Sequence, residues 1–151
     1  MRVAQDVLRS DGELGWCRVV PSRLADLLWG LDDPADDDGR AGYELRRAGV
    51  RICEMCPVRN QCLALSMVKE AQGGIHGGLP LKARRQLKKQ ATAVGIGFDA
   101  RNVAMTTIAV KHWLDDRPEE IAKARDEENT RRRERYARRA HGAARPSTRS
   151  D

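Results

Sequence analysis

Apolar residues recur at helical spacing through successive stretches of the chain, and turn-forming residues separate those stretches. In PSRLADLLWGL, Leu24, Leu27, Leu28 and Leu31 share one stripe, and Pro21 and Ser22 mark the helix start. DDPADDDGRAG has turn composition and reads as an exposed loop. A second helix is predicted from about Tyr43 to Cys53, with Leu45, Val50 and Ile52 as core candidates. Proline is favoured in a first helical turn, so a third helix is predicted from about Pro57 to Ala71. Its apolar members are Cys62, Leu63, Leu65 and Met67. AQGGIHGGLP then breaks the pattern, because glycines packed this densely favour a tight turn with unusual backbone angles. A fourth helix, from about Leu81 to Val94, carries Ala83, Leu87, Ala91 and Val94 on one face and its lysines and arginines on the other.

GIGFD reads as a linker, with Asp99 as a candidate helix cap. ARNVAMTTIAVKHWL has Val103, Thr107, Val110 and Leu114 at helical spacing. Its β-branched centre also suits a strand, and helix is the reading adopted. DRPEE resembles a capping arrangement, with Asp116 before Pro118 and Glu119. The last helical stretch, to about Ala140, is polar on nearly every side, the mark of a solvated, partner-bound or frayed helix rather than a core element. The fold class is all-α: a small bundle of about four to five short helices with a basic helical C-terminal extension. The predicted divisions are a flexible stretch over 1–13, a cysteine-bearing domain over 14–95, a helical basic extension over 96–140 and a disordered tail over 141–151.

Composition narrows this further. The 151 residues are 40% hydrophobic, 33% charged and only 4% aromatic, so the core must be small. Small cores usually need a staple: a disulfide, a metal or a partner. No apolar run has signal-peptide or membrane-spanning length, which predicts a cytoplasmic protein with no membrane partner. Thiols stay reduced there, so clustered cysteines point to metal before permanent disulfides.

Three of the four cysteines lie in CEMCPVRNQC, as Cys53, Cys56 and Cys62; Cys17 lies far upstream. Cys53 and Cys56 have the spacing that lets two thiolates reach one centre, and Cys56 falls at or just before the N-terminus of the third helix. Zinc sites typically use two close pairs, whereas this chain has one pair, one thiol five residues on and one remote thiol. His76, His112 and His141 are not at ligand spacing to them. A [4Fe–4S] cluster, larger than one ion, suits a set with one remote member. Spacing alone leaves cluster and zinc both open.

Net charge is +6. The acidic residues Asp32, Asp33, Asp36, Asp37 and Asp38 precede the Cys53–Cys62 cluster, and the basic runs follow it. Lys82, Arg84, Arg85, Lys88 and Lys89 form one run; Arg131, Arg132, Arg133, Arg135, Arg138 and Arg139 form the other. Both are candidates for DNA binding, although such runs are often solvated helix faces. Without an RGRP-type hook, contact with DNA would be to the backbone and salt-sensitive. No carboxylate pair, nucleophile with a base or phosphate-binding glycine loop is present. Trp29 and Trp113 read as packing residues; Trp16 reads either as a shield for the cysteine centre or as core.

CEMCPVRNQCLAL, GGIHGG and GGLPLKARRQL together resemble the WhiB-like proteins of actinobacteria and their phages, over roughly residues 14–90. The resemblance implies a [4Fe–4S] cluster on Cys17, Cys53, Cys56 and Cys62 that responds to oxygen or nitric oxide. It implies a transcriptional role, binding to the C-terminal domain of the principal sigma factor, and DNA contact through the basic C-terminal region. It also implies disulfides in some cluster-free forms, for which a thiol–disulfide reductase activity through Cys53 and Cys56 is the enzymatic alternative. The turn Gly74-Ile75-His76-Gly77-Gly78 departs from the family's pattern, with His76 where the family has tryptophan. His76 is smaller, polar and titratable near neutral pH, so the resemblance implies weakened or altered sigma-factor binding.

Overall fold

The computed structural model describes residues 15–30 and 40–143. Expectations for residues 1–13, for Leu31, for the aspartates at 32–38 and for the end of the tail lie outside the described residues. A single 3₁₀ turn at Trp16–Arg18 precedes six helices: α1 (Ser22–Trp29), α2 (Arg40–Met55), α3 (Arg59–Val68), α4 (Leu81–Ala93), α5 (Val103–Asp116) and α6 (Pro118–Ala143). The described residues are all-α, and the one β-type pairing is the His76–Leu79 bridge in the glycine turn.

The helices pack in pairs: α1 on α2, α3 on α5 and α4 on α6. The main core is built by Leu63, Ala64, Met67 and Val68 of α3, Leu79, Ala83, Leu87 and Ala91 at and along α4, Val110, Trp113 and Leu114 of α5, and Ile121 and Ala124 of α6. This core runs straight across residue 95, so the segment read as an extension supplies one wall of it. The first half of α6 corrects the reading of that helix as outside the core. Ile121, Ala124 and Glu128 share one face at helical spacing and are buried, while the residues after Arg135 are exposed.

A smaller cluster of Ala25, Leu28 and Trp29 joins α1 to α2, with Cys17, Leu45, Ile52, Cys53 and Ile75 packed against it. The leucine stripe of α1 is corrected here. Leu24 and Leu27 are exposed, and the buried face is Ala25, Leu28 and Trp29. Gly49 permits this contact: a Cβ there would lie 2.5 Å from the Leu28 carbonyl oxygen. The Trp29 indole N–H donates to the Gly49 carbonyl at 3.0 Å.

Other boundaries shift for local reasons. Val94 lies beyond the end of α4 and is exposed. The cap of α5 is Asn102, whose side chain accepts from the Met105 N–H at 3.3 Å. Asp99 instead accepts from the Arg101 N–H at 2.9 Å, shaping the preceding turn. Asp116 ends α5, and Arg117 separates it from Pro118, the first residue of α6. Thr106 is buried where Thr107 was the core candidate.

Candidate metal centre and nucleic-acid surface

The four cysteines come from three elements and one link. Cys17 lies in the 3₁₀ turn, Cys53 in the last turn of α2 and Cys62 in the first turn of α3. Cys56 is not at the helix end as expected. The helix starts at Arg59, and Cys56 sits in the intervening turn, with its N–H bonded to the Cys53 carbonyl at 3.2 Å and its carbonyl accepting from the Arg59 N–H at 3.1 Å. All four are partly buried free thiols.

Burial pushes the Cys62 thiol up to about 12 and the Cys53 thiol up to about 11. Burial also raises Cys17, with Cys56 the next contributor. Each of these three feels the charge of at least one other cysteine, so the fold brings all four within electrostatic reach. Among the described residues, no three His, Cys, Asp or Glu side chains meet at the distances of a single ion. Backbone amides offset part of the burial penalty: the Gly78 N–H faces the Cys53 sulfur and the Gly77 N–H faces the Cys62 sulfur. A thiol raised this far is a poor nucleophile near neutral pH, and a cation is what would favour its thiolate.

The glycine turn is therefore part of the cysteine site. Gly73, Gly74, Gly77 and Gly78 all have positive φ, as the sequence led us to expect. His76 and Leu79 exchange backbone hydrogen bonds of 3.1 and 3.0 Å around Gly77-Gly78. Two central residues at positive φ are what a tight turn of this hand requires. At Gly77 there is also no space, since a Cβ would lie 2.4 Å from Leu63 Cγ. The Ile75 N–H donates to the Trp29 carbonyl at 2.7 Å, tying the turn to the end of α1.

Two arginines hold the turn from opposite sides of the sequence, and sequence reasoning missed both roles. Arg59 Nε donates to the Gly77 carbonyl at 3.0 Å. Arg84, read as a DNA-binding residue, is only 2% exposed. Its guanidinium donates to the carbonyls of Gly74 at 2.7 Å, Leu79 at 2.8 Å, Ala71 at 2.9 Å and Gly73 at 3.3 Å. Arg84 is thus the clamp of the turn and is removed from the nucleic-acid candidates. The signal for both was the position of an arginine beside each motif, CPVR and GGLPLKAR, rather than its charge.

His76 is also corrected. Burial, aided by the Arg84 guanidinium, holds its imidazole down at about 4, against a hydrogen bond to the Gly73 backbone that favours the charged form. It is neutral at physiological pH and does not titrate there.

The remaining basic candidates do not form one uniform surface. Lys82 and Lys89 are exposed on α4. Arg85 donates to Gln72 at 3.3 Å, and Lys88 pairs with Glu70 at 2.6 Å while lying over the Phe98 ring. Arg131 bonds Gln86 of α4 at 3.2 Å, which sets its part of α6 beside the basic helix. Arg135 pairs with Glu128 at 2.7 Å, Arg132 is half-buried, and Arg133, Arg138 and Arg139 are exposed. Trp16 is exposed as well, and so are Val19 just after the 3₁₀ turn, Leu27 on α1 and Met55 at the end of α2. No described helix is long and apolar enough to cross a membrane.

The family model described as transcription factor WhiB matches residues 34–87, a span that includes α2, the CPVR turn, α3, the glycine turn and Arg84. Over 82 residues the chain is 34% identical to the transcriptional regulator WhiB of Streptomyces coelicolor, covering 54% of this chain and 85% of that protein. No solved structure matches. The shared segment is the one in which three of the cysteines and the turn that faces them are assembled, and with that degree of identity and coverage the chain belongs to the WhiB family of transcription factors.

Proposed function

We propose that this protein is a non-enzymatic, redox- or nitric-oxide-responsive transcriptional regulator whose Cys17, Cys53, Cys56 and Cys62 hold a [4Fe–4S] cluster. The observation that carries the reading is that Cys17, Cys53 and Cys62, from separate elements, each feel the charge of at least one other cysteine, while the Gly78 and Gly77 amides face Cys53 and Cys62. Amides aimed at sulfur stabilise thiolates and tune a bound centre. When bound, the cluster supplies electron-transfer chemistry and sensitivity to oxidants. The chain's own contribution is to gather the thiolates, exclude water with Trp29 and Ile75, and couple the site to its surface through the turn.

On this reading the exposed Trp16, Val19, Leu27 and Met55 offer apolar contact to a protein partner, the C-terminal domain of the principal sigma factor. His76, held inside the turn, supplies less apolar surface there than tryptophan would. DNA contact falls to Lys82, Arg85, Lys88 and Lys89 of α4 and to Arg131, Arg132, Arg133, Arg135, Arg138 and Arg139 of α6, acting on the phosphate backbone. The reductase alternative draws no support from a Cys53 thiol raised to about 11.

Iron, sulfide and zinc content of protein purified without oxygen tests the reading. Equal iron and sulfide with a brown colour lost in air is expected. Cys56→Ala should lose that iron; a variant with full iron content, or a wild type with zinc alone, would sink the cluster assignment.

A further inference from the structure

A cavity of about 350 Å³ opens between α2, the glycine turn and α6. Arg46, Arg47 and Arg51 line it from α2, and Arg125 and Arg132 from α6; the carboxylate on its wall is Glu54, which pairs with Arg125. Among the described residues, five guanidinium groups and one carboxylate line this concave wall, which gives them a net positive charge. Arg46 is 4% exposed, so one of those charges is built into the protein rather than displayed on it. Arg51 is exposed and Arg132 half-buried, both with the planar donor fork that matches phosphate oxygens.

The rest of the wall is not what a duplex backbone needs. Tyr43, Val50, Ile75 and Pro80 add an aromatic ring and apolar surface, and the Arg47 guanidinium lies 5.7 Å from the centroid of the Tyr43 ring. The volume falls within the range of small-ligand pockets and is far larger than a lone phosphate requires. We infer that this cavity binds a phosphate-bearing small ligand of nucleotide size, with Arg51 and Arg132 on the phosphate and Tyr43 and Val50 against the remainder. No cysteine lines the cavity, so the inference does not depend on the cluster. Gly78 does line it while its N–H faces Cys53, so an occupant would lie against the turn that serves the cysteine site.

Calorimetric titration of the full chain with ATP, and separately with a short DNA duplex, tests this. ATP should bind saturably. Binding should weaken about tenfold or more in Arg51→Glu/Arg132→Glu, since charge-assisted bonds to phosphate are lost. It should be unchanged in Arg101→Glu/Lys123→Glu, which alters exposed charge elsewhere. If the reversal disturbs folding by circular dichroism, Arg51→Gln/Arg132→Gln should still weaken ATP. Three results would overturn the inference: no saturable ATP binding by the wild type, equal loss in the control variant, or dependence on these arginines for the duplex alone. The metal analysis above is unaffected by any of them.

Discussion

The α3–α6 half of the molecule buries Leu63, Leu87, Val110 and Leu114 completely, whereas the α1–α2 half buries Ala25, Leu28 and Trp29 and leaves its cysteines partly exposed against them. One half is closed by side-chain packing of a kind that needs nothing added. The other is closed by backbone: the Trp29 carbonyl, the Gly49 carbonyl and the amides of the glycine turn. The two kinds of closure locate where a signal can act. A centre whose loss loosens α1 and α2 can leave α3–α6 folded, and the turn between them is bonded to both, to the Trp29 carbonyl and to Arg84. Amide hydrogen exchange on Cys56→Ala should show lost protection in α1 and α2 with retained protection in α3 and α5; uniform loss would break the comparison.

Arg84→Ala should have the largest effect on stability, because Arg84 is anchored in the packed half and holds the turn of the other. Truncation strands one buried and three partly buried carbonyls, and we expect a loss of about 4 kcal/mol by urea denaturation. Arg84→Lys should rescue only part of it, since one ammonium cannot reproduce a fork spread over carbonyls from Ala71 to Leu79. A full rescue would show that charge, not geometry, closes the turn.

Leu114→Ala tests the packed half alone. Leu114 is fully buried, so the cavity should cost about 3 kcal/mol. The cost should be the same in the presence and absence of Cys56→Ala, because distant sites that share no partner add. Strong coupling between the two would mean that the halves are one cooperative unit.

Much of this was legible in the sequence, and several of the misses share a cause. The start of α4 at Leu81 and its buried period Ala83, Leu87, Ala91 were legible, and the positive φ of the glycines followed from their clustering. What failed most clearly were three inferences that equated chemistry with exposure. Arg84 is charged and buried, because its partners are carbonyls displayed by a turn that exists only in the folded chain. Leu24 and Leu27 are apolar and exposed, because α2 approaches α1 on the side marked by Gly49 and Ala25, two small residues with little hydrophobic signal. The core face of α6 is Ile121, Ala124 and Glu128, too sparse to rise above its charged background. The cysteines were legible as a motif, but the amides that face Cys53 and Cys62 were not, since backbone orientation leaves no mark in residue type.

His76 gives a smaller, pH-dependent effect in the backbone-closed half. Its imidazole titrates at about 4 in the folded protein, below its ordinary value near 6.5, mainly through burial and then through Arg84. The unfolded chain therefore binds the proton more readily. The stability from neutral His76 is fully present above about pH 6.5 and is lost as pH falls toward 4. Unfolding midpoints across that window should decline in the wild type and decline less in His76→Gln. Equal slopes would place the titrating group elsewhere.

The smallest effect belongs to Asn102, and it sharpens the comparison because it involves no side chain of either core. Its side chain caps α5 by accepting the Met105 N–H, which would otherwise lack an intrahelical partner. Asn102→Ala should cost about 1 kcal/mol, and Asn102→Asp should cost less, since a carboxylate accepts the same bond and suits the positive end of the helix. α5 packs on α3, whose first turn carries Cys62, so the cap lies one packed helix away from the thiols. If the packed half is a rigid platform, Asn102→Ala should shift the unfolding midpoint without changing iron content. Iron lost in step with that midpoint would show instead that fraying of α5 reaches Cys62 through α3, and the two halves would then be coupled through the helix as well as through the turn.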